Sequence, residues 1–593
     1  MVEHKSSLGR NNRRFSLKNM SGGLILLLAL LLSACGGDNP TPAVQNSPPI
    51  ANTSPAVATG ESQPAAGPTP TRVVPAFLPT PAPVPPTPTL VAGLREEDQT
   101  LNLVGSEVGS FDPALGSEVG TSFILRQIYS GLVTLDKDLK VIPDLAVRLP
   151  DISEQGTLYT FTLRQGAKFQ SGREITAEEV KFSLERAVDP KLAAPDPASS
   201  LPAANYMSDI VGVKDKLEGR ATQVSGLTVK DKYTFQIKID AARPYFLAKL
   251  TYNVFFVLNP EAVAKGFDQP DSSGPFKLVE YKRDQFLKLA RNELYYARPA
   301  YLSKINFALG ASAANGQVQY EQGKFDVMGL GGADVERALD KSNALNKELV
   351  IKPELSLTYL GFNTRARPFD EPKVRQAFAS VVDRAKVARV MFEGKVQAAF
   401  TILPPGMPGY SGNAAATTYD ISRARDLIAQ SSYRTPANLP KITLYSTGSS
   451  LAGLLKEIYK QAFDIEIEVQ QYDYKDFQSG LSQRQFQGYI YGWTADYPDP
   501  ENFLRALLGN GSPFNDSGYS NPAFDELLKQ GDQQSDQQKR LQFYNQAEQL
   551  ALNDAPIFPL THSITYLLVK PYVKGLDLTA IGLWSLKDVY IKK

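Results

Sequence analysis

A proline-rich stretch, residues 36–95, sets the first limit on how this 593-residue chain can fold. It holds 15 prolines in 60 residues and only four charged side chains. Runs such as residues 81–86 favour polyproline II, which has no internal hydrogen bonds and builds no core. We interpret the stretch as a tether, which leaves about 500 residues for the folded body. That length exceeds what one hydrophobic core supports, so two or more domains are expected.

The residues before the tether have the three parts of a secretory signal. Residues 1–20 are basic, residues 24–32 form an apolar run, and Leu-Ser-Ala-Cys ends at Cys35. Nine apolar residues are too few to cross about 30 Å of hydrocarbon, so the run is not itself a membrane anchor. The tetrad resembles the lipobox of bacterial lipoproteins, which implies cleavage before Cys35 and lipid attached to its thiol. The alternative is an ordinary signal peptide with an incidental cysteine.

Charge, cysteine and histidine content narrow the classes of function. Cleavage before Cys35 removes five of 63 basic residues and one of 62 acidic residues, which leaves a net charge of about −3. Nucleic-acid binding needs a basic surplus that this chain lacks. Cys35 is the only cysteine, so no intramolecular disulfide is expected. One histidine, His562, remains after cleavage, which argues against a histidine-rich metal site, and no cofactor is expected.

Strand and helix patterns alternate through the body. Residues 159–163 alternate apolar and polar side chains, as a half-buried strand does. Thr176–Glu179 fits a capping box at the start of a helix, and residues 370–381 carry the apolar spacing of an amphipathic helix. The mixture predicts an α/β protein with mixed sheets.

Many short motifs in one order make the chain resemble the family 5 extracellular solute-binding proteins, the dipeptide and oligopeptide group of bacteria. The resemblance covers nearly all of residues 98–590. Its most specific stretches are Tyr159–Phe169 and Tyr359–Thr364, and Ser273–Phe276, Leu403–Gly406 and Asp554–Pro559 also resemble family segments. Departures occur at Gln170-Ser171-Gly172, which follows Lys168-Phe169, and before Gly274, where serine stands for the usual Gly-Thr.

The resemblance implies a two-lobed, periplasmic-binding-protein-like fold of type II, in the large peptide-binding subclass, with an extra subdomain on lobe I. Five parts then follow: signal peptide 1–34, tether 35–97, lobe I 98–357, lobe II 358–559 and a return to lobe I at 560–593. The hinge is expected near Leu357–Gly361 and Phe558–Thr561. Ligand is expected between the lobes, which close over it.

The segment Gly492–Pro500 resembles the family segment that holds the amino terminus of a bound peptide. The resemblance implies that Asp496 pairs with the α-ammonium of the ligand, and charge-assisted bonds of this kind are strong. Tyr491, Trp493 and Tyr497 are expected to supply apolar walls for varied side chains. The alternatives are a surface turn at Asp-Tyr-Pro-Asp-Pro and core packing of Trp493.

Two further regions are candidates for the cleft. Phe111 lies in Gly109–Pro113, which resembles a family loop near the ligand; the alternative is an ordinary turn between strand and helix. Asn363 lies beside the expected hinge, and its alternative role is to bond backbone groups only. No residue is identified as the partner of a peptide carboxylate, although several arginines are available.

The predicted function is that of the substrate-binding component of an ABC importer, which delivers peptides to permease subunits. The protein is expected to be a monomer, held by lipid on Cys35 at the outer face of the bacterial cell membrane. No enzyme is expected, because nucleophile-elbow, phosphate-loop and His-Glu-x-x-His motifs do not occur. One alternative is the same fold binding an oligosaccharide, an opine-like compound or a chelated metal. Another is a surface receptor or chaperone-like lipoprotein without transport.

Overall fold

The computed structural model describes residues 93–116, 118–192, 201–412 and 418–593. The predicted signal peptide, Cys35 and nearly all of the tether lie outside these ranges, so they stay predictions. None of the helices in the described ranges combines the length and hydropathy that a membrane crossing requires. The strands form two large mixed sheets, a smaller antiparallel sheet and two short ribbons, so the α/β class with mixed sheets is confirmed.

A seven-stranded sheet forms the centre of the first lobe. In spatial order its strands are β12 (Leu349–Pro353), β19 (Ile564–Val569), β11 (Val327–Gly329), β1 (Thr100–Val104), β10 (Lys304–Ala308), β9 (Phe286–Arg291) and β8 (Phe276–Lys282). β1 is parallel to β10 and β11, and the other neighbours are antiparallel. Leu101 and Leu103 alternate into the core from β1, as the two-residue period of a strand requires.

A six-stranded sheet forms the centre of the second lobe. Its strands are β14 (Gln397–Ala398), β18 (Ile557–His562), β13 (Ser356–Phe362), β17 (Gly488–Thr494), β15 (Thr443–Ser446) and β16 (Glu468–Gln471). β13 lies between β18 and β17, is antiparallel to both and is almost wholly buried. A Cβ on Gly361 would lie 2.3 Å from the ring of Tyr489 on β17, so glycine allows that ring to rest on the backbone.

Two short connections join the sheets. The chain passes from β12 to β13 through Glu354 and Leu355, and it returns from β18 to β19 through Ser563. The expected hinge positions, Leu357–Gly361 and Phe558–Thr561, therefore lie inside strands of the second sheet. Apolar patterning predicts a strand but does not tell at which residue the chain leaves one sheet for another.

A four-stranded antiparallel sheet with its own hydrophobic core follows the first helix, and we call it the four-stranded subdomain. Its strands are β4 (Asp151–Ser153), β5 (Leu158–Thr162), β7 (Thr234–Lys238) and β6 (Leu227–Asp231). The ribbons are β2 (Val133–Leu135) with β3 (Val141–Pro143), and β20 (Val573–Lys574) with β21 (Tyr590–Ile591). The predicted strand at 159–163 is thus confirmed as β5.

The α-helices surround these sheets. Those before the second lobe are α1 (Val119–Ile128), α2 (Ala177–Ala187), α3 (Ala203–Tyr206), α4 (Val213–Leu217), α5 (Phe246–Lys249), α6 (Pro260–Val263), α7 (Gly316–Glu321) and α8 (Ala333–Leu339). Those of the second lobe are α9 (Pro372–Ser380), α10 (Arg384–Val390), α11 (Ile421–Ala429), α12 (Ser450–Phe463), α13 (Tyr474–Ser482), α14 (Glu501–Leu508), α15 (Pro522–Asp532) and α16 (Gln537–Asp554). The capping box predicted at Thr176 and Glu179 is present at the start of α2.

Candidate functional site

The segment between β17 and α14 carries Asp496 against the four-stranded subdomain. Asp496 Oδ2 accepts hydrogen bonds from the Tyr206 hydroxyl at 2.5 Å and from Asn502 Nδ2 at 3.1 Å. Tyr206 ends α3 within the core of the subdomain, whereas Asn502 lies on α14 of the second lobe. The Asp496 carboxylate therefore lies at the junction of the two lobes.

The Asp496 carboxylate has no cationic partner among the described residues. Part of the residue remains exposed, yet burial of the carboxylate raises its pKa from 3.8 to about 6. Hydrogen bonds from Tyr206 and Asn502 oppose this rise, and the charge of Glu501 adds to it. A carboxylate that is shielded from water and short of positive charge is electrostatically prepared to receive a cation.

Aromatic rings of the four-stranded subdomain flank this carboxylate. Tyr206 stacks on Tyr252 with ring centroids 3.9 Å apart and an interplanar angle of 21°. Tyr497 meets Tyr206 edge-on at 6.5 Å, and its hydroxyl donates to Glu501. Because Tyr497 is fully buried in the core of the subdomain, it anchors its loop there, and its predicted role as an apolar wall for the ligand stays a prediction.

Trp493 and Tyr491 project from the same face of β17 and are both partly buried against the core of the second lobe. Trp493 Nε1 donates to Asn502 Oδ1 at 3.2 Å, and the same oxygen accepts the backbone N–H of Asp496 at 2.9 Å. Asn502 thus ties Trp493 to Asp496. The Tyr491 hydroxyl is hydrogen-bonded to Gln478 on α13, so Tyr491 is occupied by contacts within its own lobe.

Phe111 and Asn363 are held by protein contacts elsewhere. Phe111 is buried in the core of the first lobe, edge-on to Tyr281 at 5.3 Å. Asn363 Nδ2 donates to the Arg484 carbonyl at 2.8 Å, and its Oδ1 accepts the N–H of Arg365 at 3.0 Å. The position of Asn363 thus matches the alternative in which it serves backbone groups. Neither side chain is brought to Asp496.

Along the part of β17 that leads to Asp496, one edge has no strand partner in the described part of the chain. β13 pairs with all seven residues from Gly488 to Thr494. On the opposite side, β15 pairs only with Gly488 and Tyr489. The later residues of β17 therefore present main-chain groups beside the lobe junction, where an extended chain can add as a further strand.

A buried ion cluster also joins the lobes next to Asp496. Lys249 Nζ lies 2.9 Å from Asp209 Oδ2 in the four-stranded subdomain and 3.4 Å from Glu501 Oε1 on α14. All three side chains are buried. The lobes are therefore in contact around Asp496 through both aromatic and ionic side chains.

Sequence reasoning missed Tyr206, Tyr252 and Asn502. Tyr206 precedes Asp496 by 290 residues, and no local pattern links them. Asn502 carried a weak signal, because it lies six residues after Asp496, in the first turn of the helix that Pro500 caps.

Comparison with known proteins places this chain among bacterial solute-binding proteins. The family model for bacterial extracellular solute-binding proteins, family 5 (middle part), matches residues 140–515, which is more than half of the chain. Similar relatives include the dipeptide-binding protein DppE of Bacillus subtilis, which is 26% identical over 81% of this chain and 90% of its own length. The heme-binding protein A of Haemophilus influenzae is also 26% identical, over 78% of this chain and 87% of its own length. These relatives are named as binding proteins.

Solved structures share the fold. The murein tripeptide-binding protein MppA of Escherichia coli has a TM-score of 0.74 at 24% identity, and the match covers 84% of this chain and 99% of MppA. OppA of Haemophilus influenzae, in complex with RPPGFSPFR, has a TM-score of 0.73 at 24% identity, over 84% of this chain and all of that one. The two-lobed type II fold expected from the sequence is thus confirmed. This chain belongs to the bacterial extracellular solute-binding proteins of family 5.

Proposed function

We propose that this chain is the extracytoplasmic substrate-binding component of an ABC importer, and that it binds peptides with a free amino terminus between its lobes. The Asp496 carboxylate carries the proposal, because it is shielded at the lobe junction without a cationic partner among the described residues. A peptide ammonium there gains charge-assisted hydrogen bonds to Oδ1 and Oδ2.

The open edge of β17 supports an extended peptide as the ligand. Main-chain groups beyond Tyr489 pair with the peptide backbone whatever its side chains are, so affinity does not depend on one sequence. The ammonium on Asp496 then sets the direction in which the peptide lies. Closure of the lobes buries the ligand before it is passed to the permease.

The proposal includes the parts of the chain outside the described ranges. Lipid on Cys35 holds the protein at the outer face of the membrane, and residues 35–97 form the tether. The folded body acts as a monomer, with its lobes divided where the chain changes sheets, at 354–355 and at Ser563. Two or three acyl chains suffice for stable anchoring.

A second candidate is the same fold with a non-peptide ligand. It is favoured by relatives named for heme and, in Escherichia coli, for deoxycholate, with 26% and 28% identity to this chain. Both ligands carry carboxylates, which the negative charge of Asp496 repels once it is ionised. The Asp496 site therefore favours an amine-bearing ligand.

A thermal-shift panel tests the ligand class. Free-amine peptides of two to nine residues are expected to raise the unfolding temperature, because a ligand at 100 times its Kd stabilises the folded state by about 2.7 kcal/mol. The same peptides, N-acetylated, are expected to give much smaller shifts. Heme, deoxycholate and oligosaccharides complete the panel. A shift with one of these three and with no peptide would overturn the peptide proposal.

Peptide affinity is expected to rise about ninefold between pH 5 and pH 7. With a pKa of about 6, Asp496 is ionised to about 10% at pH 5 and about 90% at pH 7, and only the ionised form pairs with an ammonium. The stability of the ligand-free protein is expected to fall over the same pH range in which peptide affinity rises. Because the folded pKa lies above 3.8, the stability from this group is present below about pH 4 and is lost as pH rises through about 6.

Calorimetric titration of one tetrapeptide at pH 5, 6 and 7, with wild type and Asp496→Asn, measures this dependence. Burial also raises the pKa of Asp516 and of Glu548 to about 7. Both acids remain in the variant, so the difference between the two proteins isolates Asp496. The same pH dependence in both proteins would contradict the assignment.

A further inference from the structure

The structure contains a cavity that is built from other residues than the Asp496 site. Its volume is about 390 Å³. Its lining residues come from three stretches, 126–164, 256–297 and 575–588. These include the end of α1, the β2–β3 ribbon and the segment between β20 and β21, whereas the second sheet spans 356–562. The cavity is therefore assembled without residues of the second sheet.

Arg126, near the end of α1, brings an uncompensated positive charge to this cavity. Its guanidinium donates to Thr134 Oγ1 at 3.2 Å and to the Thr251 carbonyl at 3.2 Å, and both acceptors are neutral. Its Nε is buried and has no hydrogen-bond partner in the described part of the chain. Burial lowers the pKa of Arg126 to about 10, although Asp144 opposes the shift. A buried cation without a paired anion is costly, and a bound anion removes that cost.

Two further cations line the same cavity. Arg164 Nε donates to the Asp144 carbonyl oxygen at 2.7 Å, and its guanidinium carbon lies 5.9 Å from the ring centre of Tyr296. Lys587 Nζ lies 6.0 Å from the ring centre of Tyr295. Neither cation forms an ion pair with any acid in the described ranges. The inner acid is Asp144, whose carboxylate accepts from the Tyr296 hydroxyl and from a backbone N–H, so three cations face one carboxylate.

The other charged lining residues are three acids and one lysine. Asp136 accepts two backbone N–H groups of its own turn at 2.9 Å. Asp588 is paired with Arg298, and Lys137 is paired with the acid that follows it. Asp577 is exposed. The lining as a whole therefore carries four cations and four acids, and Arg126, Arg164 and Lys587 are the three cations that form no ion pair in the described ranges.

We infer that this cavity is a binding site for a small organic carboxylate. An arginine guanidinium matches a carboxylate with two parallel hydrogen bonds, and Arg126, Arg164 and Lys587 line the cavity without an ion-pair partner in the described ranges. Phe256, Tyr295 and Tyr296 provide aromatic surface for an apolar body. A volume of about 390 Å³ lies within the usual range for small-ligand sites. The lining shares no residue with the Asp496 site, so the two sites are tested separately by different variants.

Benzoate is a suitable probe, because it combines a carboxylate with an aromatic body. Saturation-transfer NMR on the mature protein is expected to show benzoate binding, and no binding of the neutral analogue benzyl alcohol. Arg126→Gln is expected to weaken benzoate binding at least tenfold. Arg148→Gln is the matched control, because Arg148 is exposed and paired with Asp151, and it is expected to change nothing. Asp496→Asn is expected to leave benzoate binding intact, which separates this site from the peptide site.

Arg164→Gln and Lys587→Gln repeat the test at positions less central to the core, in case Arg126→Gln does not fold. Each is expected to weaken benzoate binding at least threefold. Equal signals from benzoate and benzyl alcohol would overturn the inference. So would unchanged benzoate binding in the folded variants, or loss of binding in Asp496→Asn. Displacement of benzoate by inorganic phosphate but not by succinate would overturn the carboxylate class.

Discussion

Asp496→Asn is expected to weaken the binding of free-amine peptides by about 30-fold to several thousand-fold. Removing one partner of a buried, hydrogen-bonded charge pair costs about 2–5 kcal/mol, and about 1.4 kcal/mol is tenfold in affinity. Asparagine still accepts hydrogen bonds from Tyr206 and Asn502, so the loop is expected to keep its place. Calorimetric titration of a tetrapeptide with wild type and variant measures the change.

Two controls test whether the loss of affinity depends on the peptide ammonium and on the position of the removed charge. The N-acetylated tetrapeptide has no ammonium, so the substitution is expected to change its affinity by less than about threefold. Asp426→Asn removes the same charge from an exposed position on α11 and is expected to have no effect. If the free and acetylated peptides lost equal affinity in Asp496→Asn, Asp496 would not be the ammonium partner.

Arg540→Met is expected to lower the free energy of unfolding of the second lobe by about 3–5 kcal/mol, the usual effect of breaking a buried ion pair. The Arg540 side chain is fully buried, and its guanidinium lies 2.6 Å from Asp499 Oδ1. Asp499 also accepts the N–H of Glu501 at the start of α14. Burial already raises the pKa of Asp499, opposed by Arg540. The substitution would leave this carboxylate buried without its partner.

Urea denaturation measures the loss, and tryptophan fluorescence reports on it because Trp493 lies in the second lobe. Arg148→Met breaks the exposed pair with Asp151 and is expected to cost less than about 1 kcal/mol. Adding Asp499→Asn to Arg540→Met removes the stranded charge and is expected to recover part of the stability. Equal losses in the buried and exposed pairs would contradict the assigned role of Arg540.

The strands, helices and lobes were predictable because their signals are local or shared by a family. The alternation in β5 and the capping box of α2 depend on neighbouring residues only. The position of Tyr497 was not predictable in this way. An aromatic side chain between acids and prolines is typical of an exposed turn, and its burial depends on how the four-stranded subdomain meets the second lobe.

The two candidate sites also depend on contacts between distant parts of the chain, which local sequence patterns do not predict. Asp496 was identified through a motif, whereas its partner Tyr206 comes from a part of the chain with no motif for that role. The cavity at Arg126 depends on residues as distant as Arg164 and Lys587. Charges brought together from separate segments leave no spacing for sequence reasoning to detect.

The ion cluster at the lobe junction affects which charged groups lose their partners when the lobes separate to release the proposed ligand. As the lobes part, Lys249 loses Glu501 but keeps Asp209, which belongs to its own side of the junction. Glu501 keeps the hydroxyl of Tyr497, four residues earlier in the chain, if Tyr497 is withdrawn from the core of the four-stranded subdomain as the lobes part. Lys249 and Glu501 would each keep one partner, so separation of the lobes would leave neither charged group without a hydrogen bond or an ion pair. Under the proposed function, the closed form would thereby be held by contacts that can be broken and remade in each cycle of binding and release.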